Sequence, residues 1–287
     1  MKFELVQEFP EFENVSSMTA SPSQEYIFVS GSKNREFTGG MLWWNGSRYV
    51  PQELEVNRGN GSLRFPVFSA NEEWFALESR DDYILFYKKQ NDRFVLACEL
   101  PREIPPNSEE LIKTTSLFSP TGKYFVRSST LITYSDESPF EPEMNFRVEL
   151  YQRTGDQYVP LYMPLPDVDP SFAQDDSVIP FIAAVFVNDE DLRVNTGKLV
   201  EGGIHPLEFA ITDCAEYQYR LEDDSVTLVS QNENGAYPLC VVWHQRGHGV
   251  DSVGHQGRRD KRSAPHGADV HERRRGCCSN AHRRRRN

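Results

Sequence analysis

Histidine is the first residue type to look for, because imidazole is the commonest general base near neutral pH. The first 245 residues hold two, His205 and His244. His205 stands between a Gly-Gly pair and Pro206, the composition of a surface loop. No Gly-x-Ser-x-Gly elbow supplies a nucleophile, so neither histidine has a partner for acyl-transfer chemistry. Acidic residues cluster at Asp81-Asp82, Asp167 with Asp169, Asp175-Asp176, Asp189-Glu190-Asp191 and Asp223-Asp224. Calcium takes six to eight oxygen ligands, and a dedicated loop offers them at alternate positions with a distal glutamate. None of the clusters has that register; they read as solvated turn acids, and Asp167 with Asp169 comes nearest to a ligand pair. Gly59-Asn60-Gly61-Ser62 lacks the lysine and the helix start of a phosphate loop and reads as a connecting turn. Cys98, Cys214 and Cys240 are scattered and Cys277 and Cys278 adjacent, which gives neither a disulfide framework nor metal-ligand spacing. No catalytic, cofactor-binding or metal-binding residue is therefore assigned, and no cofactor is expected.

The elements that would have to position any such group come in repeats. Ala20-Ser21-Pro22 leading to Tyr26 matches Phe68-Ser69-Ala70 leading to Trp74 and Phe118-Ser119-Pro120 leading to Tyr124. Phe186-Val187-Asn188 leading to Leu192 matches more loosely, and the steps are 48, 50 and 68 residues. A second motif repeats with the first. Leu42-Trp43-Trp44 runs through Asn45-Gly46 to Tyr49-Val50, Leu85-Phe86-Tyr87 through Asn91-Asp92 to Phe94-Val95, and Leu150-Tyr151 through Gly155-Asp156 to Tyr158-Val159. An aromatic strand, a polar turn able to reach positive φ and a second aromatic strand make a hairpin. A turn-plus-strand followed by a hairpin, every roughly 40 to 50 residues, is the pattern of a four-stranded propeller blade. Ser116–Pro166 is its most complete instance. The aromatics Trp43, Trp44, Trp74, Tyr87 and Tyr151 fall at equivalent positions and are expected to pack between blades rather than to stack on a ligand.

Phe3–Pro10 repeats the spacing of Phe94–Pro101, the outermost strand of the second repeat. It reads as an orphan last strand of the kind that closes a ring and removes exposed edges. The Pro- and Asp-rich segment Pro164–Pro180 reads as an insertion loop carrying binding function. Degenerate strands continue to Trp243, and Asn232–Trp243 would begin a fifth unit.

With both motifs in view, the body resembles the WD-repeat and WD-like β-propellers, well over residues 2–161 and poorly over 179–229. The Trp-Asp dipeptide is replaced by Trp44-Asn45, Tyr87-Lys88 and Tyr151-Gln152, and no Gly-His opens a blade, so the hydrogen-bonded tetrad of the strict family is not encoded. The resemblance implies an all-β propeller of four-stranded blades. The repeats encode about four to five of them over residues 1–245, complete or partial, and because the orphan strand calls for more blades than follow, the ring reads as incomplete. It also implies a rigid platform for protein partners, usually without catalysis.

Charge divides the chain in two. Residues 1–245 carry 39 acidic against 19 basic residues, and 246–287 carry 12 basic against 4 acidic. The body repels nucleic acid; the tail could attract it through Arg258-Arg259-Asp260-Lys261-Arg262 and Arg283–Arg286. With few aliphatic residues the tail cannot build a core and is expected to be disordered. It is read as sequence foreign to the blades, as a solvated basic tail, or as a nucleic-acid or import signal. Domain boundaries follow at 1–245 and 246–287. The N-terminus has no apolar core of a signal sequence and no stretch is long enough to span a bilayer, so a soluble, cytoplasmic protein without membrane association is expected. The expected function is a protein-interaction scaffold whose loops, 164–180 included, meet an unidentified protein. The competing readings are a metal-assisted hydrolase or lactonase with carboxylates on a propeller axis, and nucleic-acid association through the tail.

Overall fold

The computed structural model describes residues 14–33, 36–55, 63–79, 83–102, 104, 107–134, 143–165, 178–201, 209–232, 240–243 and 250–253. Every regular element among them is a strand. Four antiparallel sheets follow one another along the chain, each a four-stranded meander. The first is β1 (Asn14–Ala20), β2 (Tyr26–Lys33), β3 (Glu36–Trp44) and β4 (Tyr49–Gln52); the second is β5 (Arg64–Phe68), β6 (Trp74–Glu78), β7 (Tyr83–Gln90) and β8 (Arg93–Pro101). The third is β9 (Ser108–Phe118), β10 (Tyr124–Thr133), β11 (Glu143–Thr154) and β12 (Gln157–Leu161); the fourth is β13 (Val178–Phe186), β14 (Asp191–Glu201), β15 (Phe209–Glu222) and β16 (Ser225–Asn232). Consecutive meanders of four are the blade topology of a β-propeller. A two-stranded ladder pairs β17 (Cys240–Trp243) with β18 (Val250–Val253), placing one short strand inside the basic segment. The orphan strand Phe3–Pro10 and the tail beyond Val253 lie outside the described residues.

The chain divides into two compact units. One comprises Met1–Ile104, Ser116–Val126 and Leu150–Leu161, and the other Pro105–Thr115, Arg127–Glu149 and Tyr162–Asn287, the boundary passing through the third sheet.

In the first unit the sheets pack face to face through aromatic side chains. Tyr26, Phe28 and Met41 from the first sheet meet Phe75, Leu77, Leu85, Tyr87 and Phe94 from the second. The other face of the second sheet sets Trp74, Ala76, Ile84 and Phe86 against Phe118, Phe125, Tyr151 and Tyr158. Strand alternation produces this, since Trp74 and Ala76 point one way and Phe75 and Leu77 the other. Tyr158 stacks on Phe86 with centroids 4.3 Å apart and meets Trp74 edge-on at 5.1 Å. Trp74, Tyr87 and Tyr151 are thus core residues and Trp43 packs at the core's margin. Trp44 departs from the expectation. As Trp43 faces the second sheet, its neighbour must face away, and Trp44 stays 37% exposed beside Tyr49.

In the second unit Thr115 links first strands of two successive sheets. Its hydroxyl bonds Ser128 and accepts the Ala184 N–H at 3.3 Å. The core of the fourth sheet is Phe181, Ile182, Ala183, Ala184, Leu192, Val194, Tyr217, Tyr219 and Leu221.

Candidate functional site

The repeated Ser-x-x-x-x-aromatic motif folds into one turn made three times. The serine N–H donates to the carbonyl of the aromatic, Ser21 to Tyr26 at 2.8 Å, Ser69 to Trp74 at 2.9 Å and Ser119 to Tyr124 at 2.8 Å. The serine hydroxyl accepts the aromatic's N–H in return, at 3.3, 2.9 and 3.0 Å. The third residue after each serine turns through positive φ: Gln24 at 65°, Glu72 at 56° and Gly122 at 69°. All three serines are buried, so the hydroxyl is spent on the backbone and cannot act as a nucleophile. The fourth turn is built differently. It is one residue shorter, Val187 N donating to Asp191 O at 2.8 Å, while the Asn188 side-chain oxygen accepts from the Glu190 and Asp191 amides. Asp191, not Leu192, therefore takes the place of Tyr26, Trp74 and Tyr124. The sequence match is displaced by one because leucine, not aspartate, looks like an aromatic's equivalent.

In the first unit these turns are tied into a row. The Ser23 amide and hydroxyl donate to the Glu72 carboxylate, and Asn71 Nδ2 donates to Thr121 O at 3.1 Å. Each step is one repeat. A cation at the end of a third strand reaches back one repeat in two places. Lys89 lies 4.7 Å over the Tyr26 ring and 3.8 Å from Glu25; Arg153 lies 5.6 Å over Trp74 and 3.7 Å from Glu73. Lys88 pairs with Asp156 at 2.5 Å. Tyr49 and Tyr158 donate their hydroxyls to the carbonyls of Gln24 and Gly122, at 2.7 and 2.6 Å, fixing the fourth strand to the turn. Individual exposed pairs contribute about 0 to 1 kcal/mol, so the value of the row lies in its rigidity. It is a polar, charge-alternating rim, with Glu25, Glu72 and Glu73 at the turns and Lys88, Lys89 and Arg153 between them.

Two buried ionic clusters stand apart from the rim. In the first unit Glu78 and Arg102, 3% and 7% exposed, approach to 3.5 Å, and Ser116 donates to Glu78. In the second unit Arg127 Nη1 donates to Glu149 at 2.9 Å and to Ser129, and Arg147 holds the other Glu149 oxygen at 2.9 Å. The equivalent positions in the other sheets are Val29 opposite Gly40, Leu77 opposite Leu85 and Val194 opposite Tyr217. Arg127 and Glu149 are thus an ionic insertion into an apolar repeat position. Both buried carboxylates lie against guanidinium groups, an arrangement suited to structure or recognition.

Buried hydroxyls and thiols are held protonated. Burial, with Asp92, Glu25 and Glu72 nearby, pushes Tyr26 up to about 12, and burial pushes Tyr219 to about 12. Burial likewise raises Tyr87, Tyr158 and the Cys98 thiol, the last only partly offset by the Tyr158 N–H. None is a nucleophile or base at neutral pH.

His205, His244, Asp81-Asp82, Asp167, Asp169, Asp175-Asp176, Gly59–Ser62, Cys277, Cys278 and both basic clusters lie outside the described residues. Of the 164–180 loop, residues 164–165 and 178–180 are described. Asp191 and Glu190 pair with Arg220, at 3.0 and 3.4 Å, as turn acids do. Among the described residues no three His, Cys, Asp or Glu side chains gather as a metal site, and no helix is long and apolar enough to cross a membrane. Sequence reading missed both buried ion pairs. The signal available was Arg127 in the place of Leu77 once the repeats are aligned.

No family model matches the chain, and no curated protein matches it by sequence. Solved structures resemble it at low similarity. Saccharomyces cerevisiae Sqt1 has a TM-score of 0.44 and 12% identity over 73% of this chain and 45% of its own. Kluyveromyces lactis Hsv2p has 0.37 and 13% over 75% and 60%, and the tricorn protease 0.44 and 8% over 75% and 19%. The chain spans 53%, 45% and 59% of three of the solved chains it matches. With TM-scores below 0.5, the architecture rests on strand order and repeated turns rather than on these likenesses.

Proposed function

We propose that the chain is a non-catalytic, WD-like propeller scaffold that binds a protein partner. The observation that carries this reading is the rim of the first unit, where three copies of one turn are cross-linked by Ser23–Glu72 and Asn71–Thr121. Around them, partly exposed charges of both signs are held in fixed places. Such a surface presents recognition groups without ordering cost, which is what favours affinity in a preorganised binder. The three turn serines support the same reading, since their hydroxyls are occupied by the backbone.

The test is affinity purification from cells with cross-linking, comparing wild type with the rim variant Lys88→Glu/Arg153→Glu. The scaffold reading expects a reproducible partner whose cross-links fall on residues 22–25, 71–73, 88–89 and 153–156, lost in the variant while thermal stability holds. An identical partner set for both proteins would overturn the rim as the binding surface. Hydrolysis of lactone or ester substrates by wild type would overturn the non-catalytic reading.

A further inference from the structure

The outer strands of the four sheets are not equivalent. β4 and β12 are short, four and five residues, and each carries a proline, Pro51 and Pro160. Proline cannot donate to a ladder, so it blunts an edge. β8 is longer, with Arg93 at its start and Pro101 at its end, and its Cys98 sulfur accepts the Tyr158 N–H from β12. β16 has none of these guards. Its eight residues, Ser-Val-Thr-Leu-Val-Ser-Gln-Asn, contain no proline and no charge, and seven of them are exposed. Among the described residues it pairs with β15 alone. Leu228 and Val229 are 40% and 60% exposed, although aliphatic side chains at these positions contribute nothing to the sheet's own core.

A bulge interrupts β16 at Val229, between the pairs Gln218–Ser230 and Tyr219–Leu228. Bulges can protect an edge, but the same bulge stands at Ala97 in β8, between Phe86–Cys98 and Tyr87–Leu96. It recurs in β8 and is absent from β4 and β12, whose ladders run without a shift, so it is not confined to this edge. Ser225–Leu228 remains a regular stretch with an outward ladder. At its start lie three consecutive exposed carboxylates, Glu222, Asp223 and Asp224, so the strand is neutral and its entry is acidic.

We infer that β16 is a strand-addition site for an extended segment of a partner protein. That segment is β-branched and uncharged along its length and basic at the end lying against Glu222–Asp224. Backbone bonds would supply the affinity, Leu228 and Val229 an apolar contact, and the acidic turn the direction. In the antiparallel arrangement the basic residues stand at the segment's C-terminal end, because that end lies beside Ser225. The inference rests on the scaffold reading and adds to it the class of partner.

The probe is a fluorescein-labelled Thr-Val-Thr-Val-Thr-Val-Lys-Lys peptide titrated against the full chain. Controls are the same peptide with alternate residues N-methylated and one ending Glu-Glu. Saturable binding is expected, with amide exchange slowed over 225–231. Val229→Lys with Thr227→Lys, both exposed, should weaken binding at least tenfold without moving the melting temperature. N-methylation should abolish it, and the Glu-Glu ending should weaken it at low salt. Equal binding of the N-methylated peptide, or no protection of 225–231, overturns the inference. Concentration-dependent dimerisation that protects 225–231 without peptide also overturns it, by making a second copy the occupant. Peptide failure alongside rim-dependent partner capture rejects this inference alone; peptide binding with no rim-dependent partner rejects the rim.

Discussion

Replacing Arg127 and Glu149 separately and together tests whether the ionic insertion in the third sheet is a device of the fold. Arg127 is 1% and Glu149 10% exposed, 2.9 Å apart, with Arg147 as a second guanidinium. Arg127→Met removes the Nη1 donor of Glu149 and of Ser129 and leaves Arg147 on the other Glu149 oxygen. Removing one partner of a buried pair costs about 3 to 5 kcal/mol. Because Arg147 remains, about 3 kcal/mol is expected here. Glu149→Leu takes the carboxylate from the more deeply buried charge, Arg127, and belongs nearer about 5 kcal/mol. The double variant instead restores the apolar pattern of Leu77 opposite Leu85. Apolar replacement of a whole buried pair is neutral to stabilising by about 1 to 4 kcal/mol, so the double variant should match or exceed wild type. Urea unfolding followed by tryptophan fluorescence gives the four free energies and the coupling between the sites. A double variant as unstable as the Glu149 single would refute the reasoning, and would mean that the charges answer groups other than each other.

Ser69→Ala removes the acceptor of the buried Trp74 N–H and should cost about 2 kcal/mol, read by urea unfolding. Gln24→Gly relieves a left-handed φ that Gly122 adopts without strain in the third copy, and should stabilise by up to about 1 kcal/mol; a loss would indicate that the Gln24 side chain matters. Tyr26 and Tyr219 are raised from 10 to about 12, so their folded forms hold protons that the unfolded chain releases. The stability they contribute is complete below pH 10 and is lost as pH rises from 10 towards about 12, a fall that Tyr26→Phe should reduce in a pH series of melting temperatures.

The sequence by itself determined the repeating unit. Ser69 and Trp74, or Asn91-Asp92 between two aromatic strands, act through bonds and φ values within a few residues, so their meaning survives without tertiary context. Asn91 at 56°, Gly46 at 94° and Gly155 at 64° turn where the polar pairs foretold. The tertiary structure decided which residues those units set against one another. Glu25 and Lys89 lie far apart in the chain, as do Glu73 and Arg153, and both pairs become neighbours only when successive turns align. Trp43 and Trp44 are identical in type, and only the packing of the first sheet on the second decides that one is covered and the other exposed. Arg127 in an otherwise apolar repeat position is visible in the sequence as an anomaly, but its partners, Glu149 and Ser129, follow from register and burial. Local chemistry therefore writes the blade, while the cross-strand and cross-sheet distances that make a rim, a buried ion pair or an open edge exist only once the blades have folded.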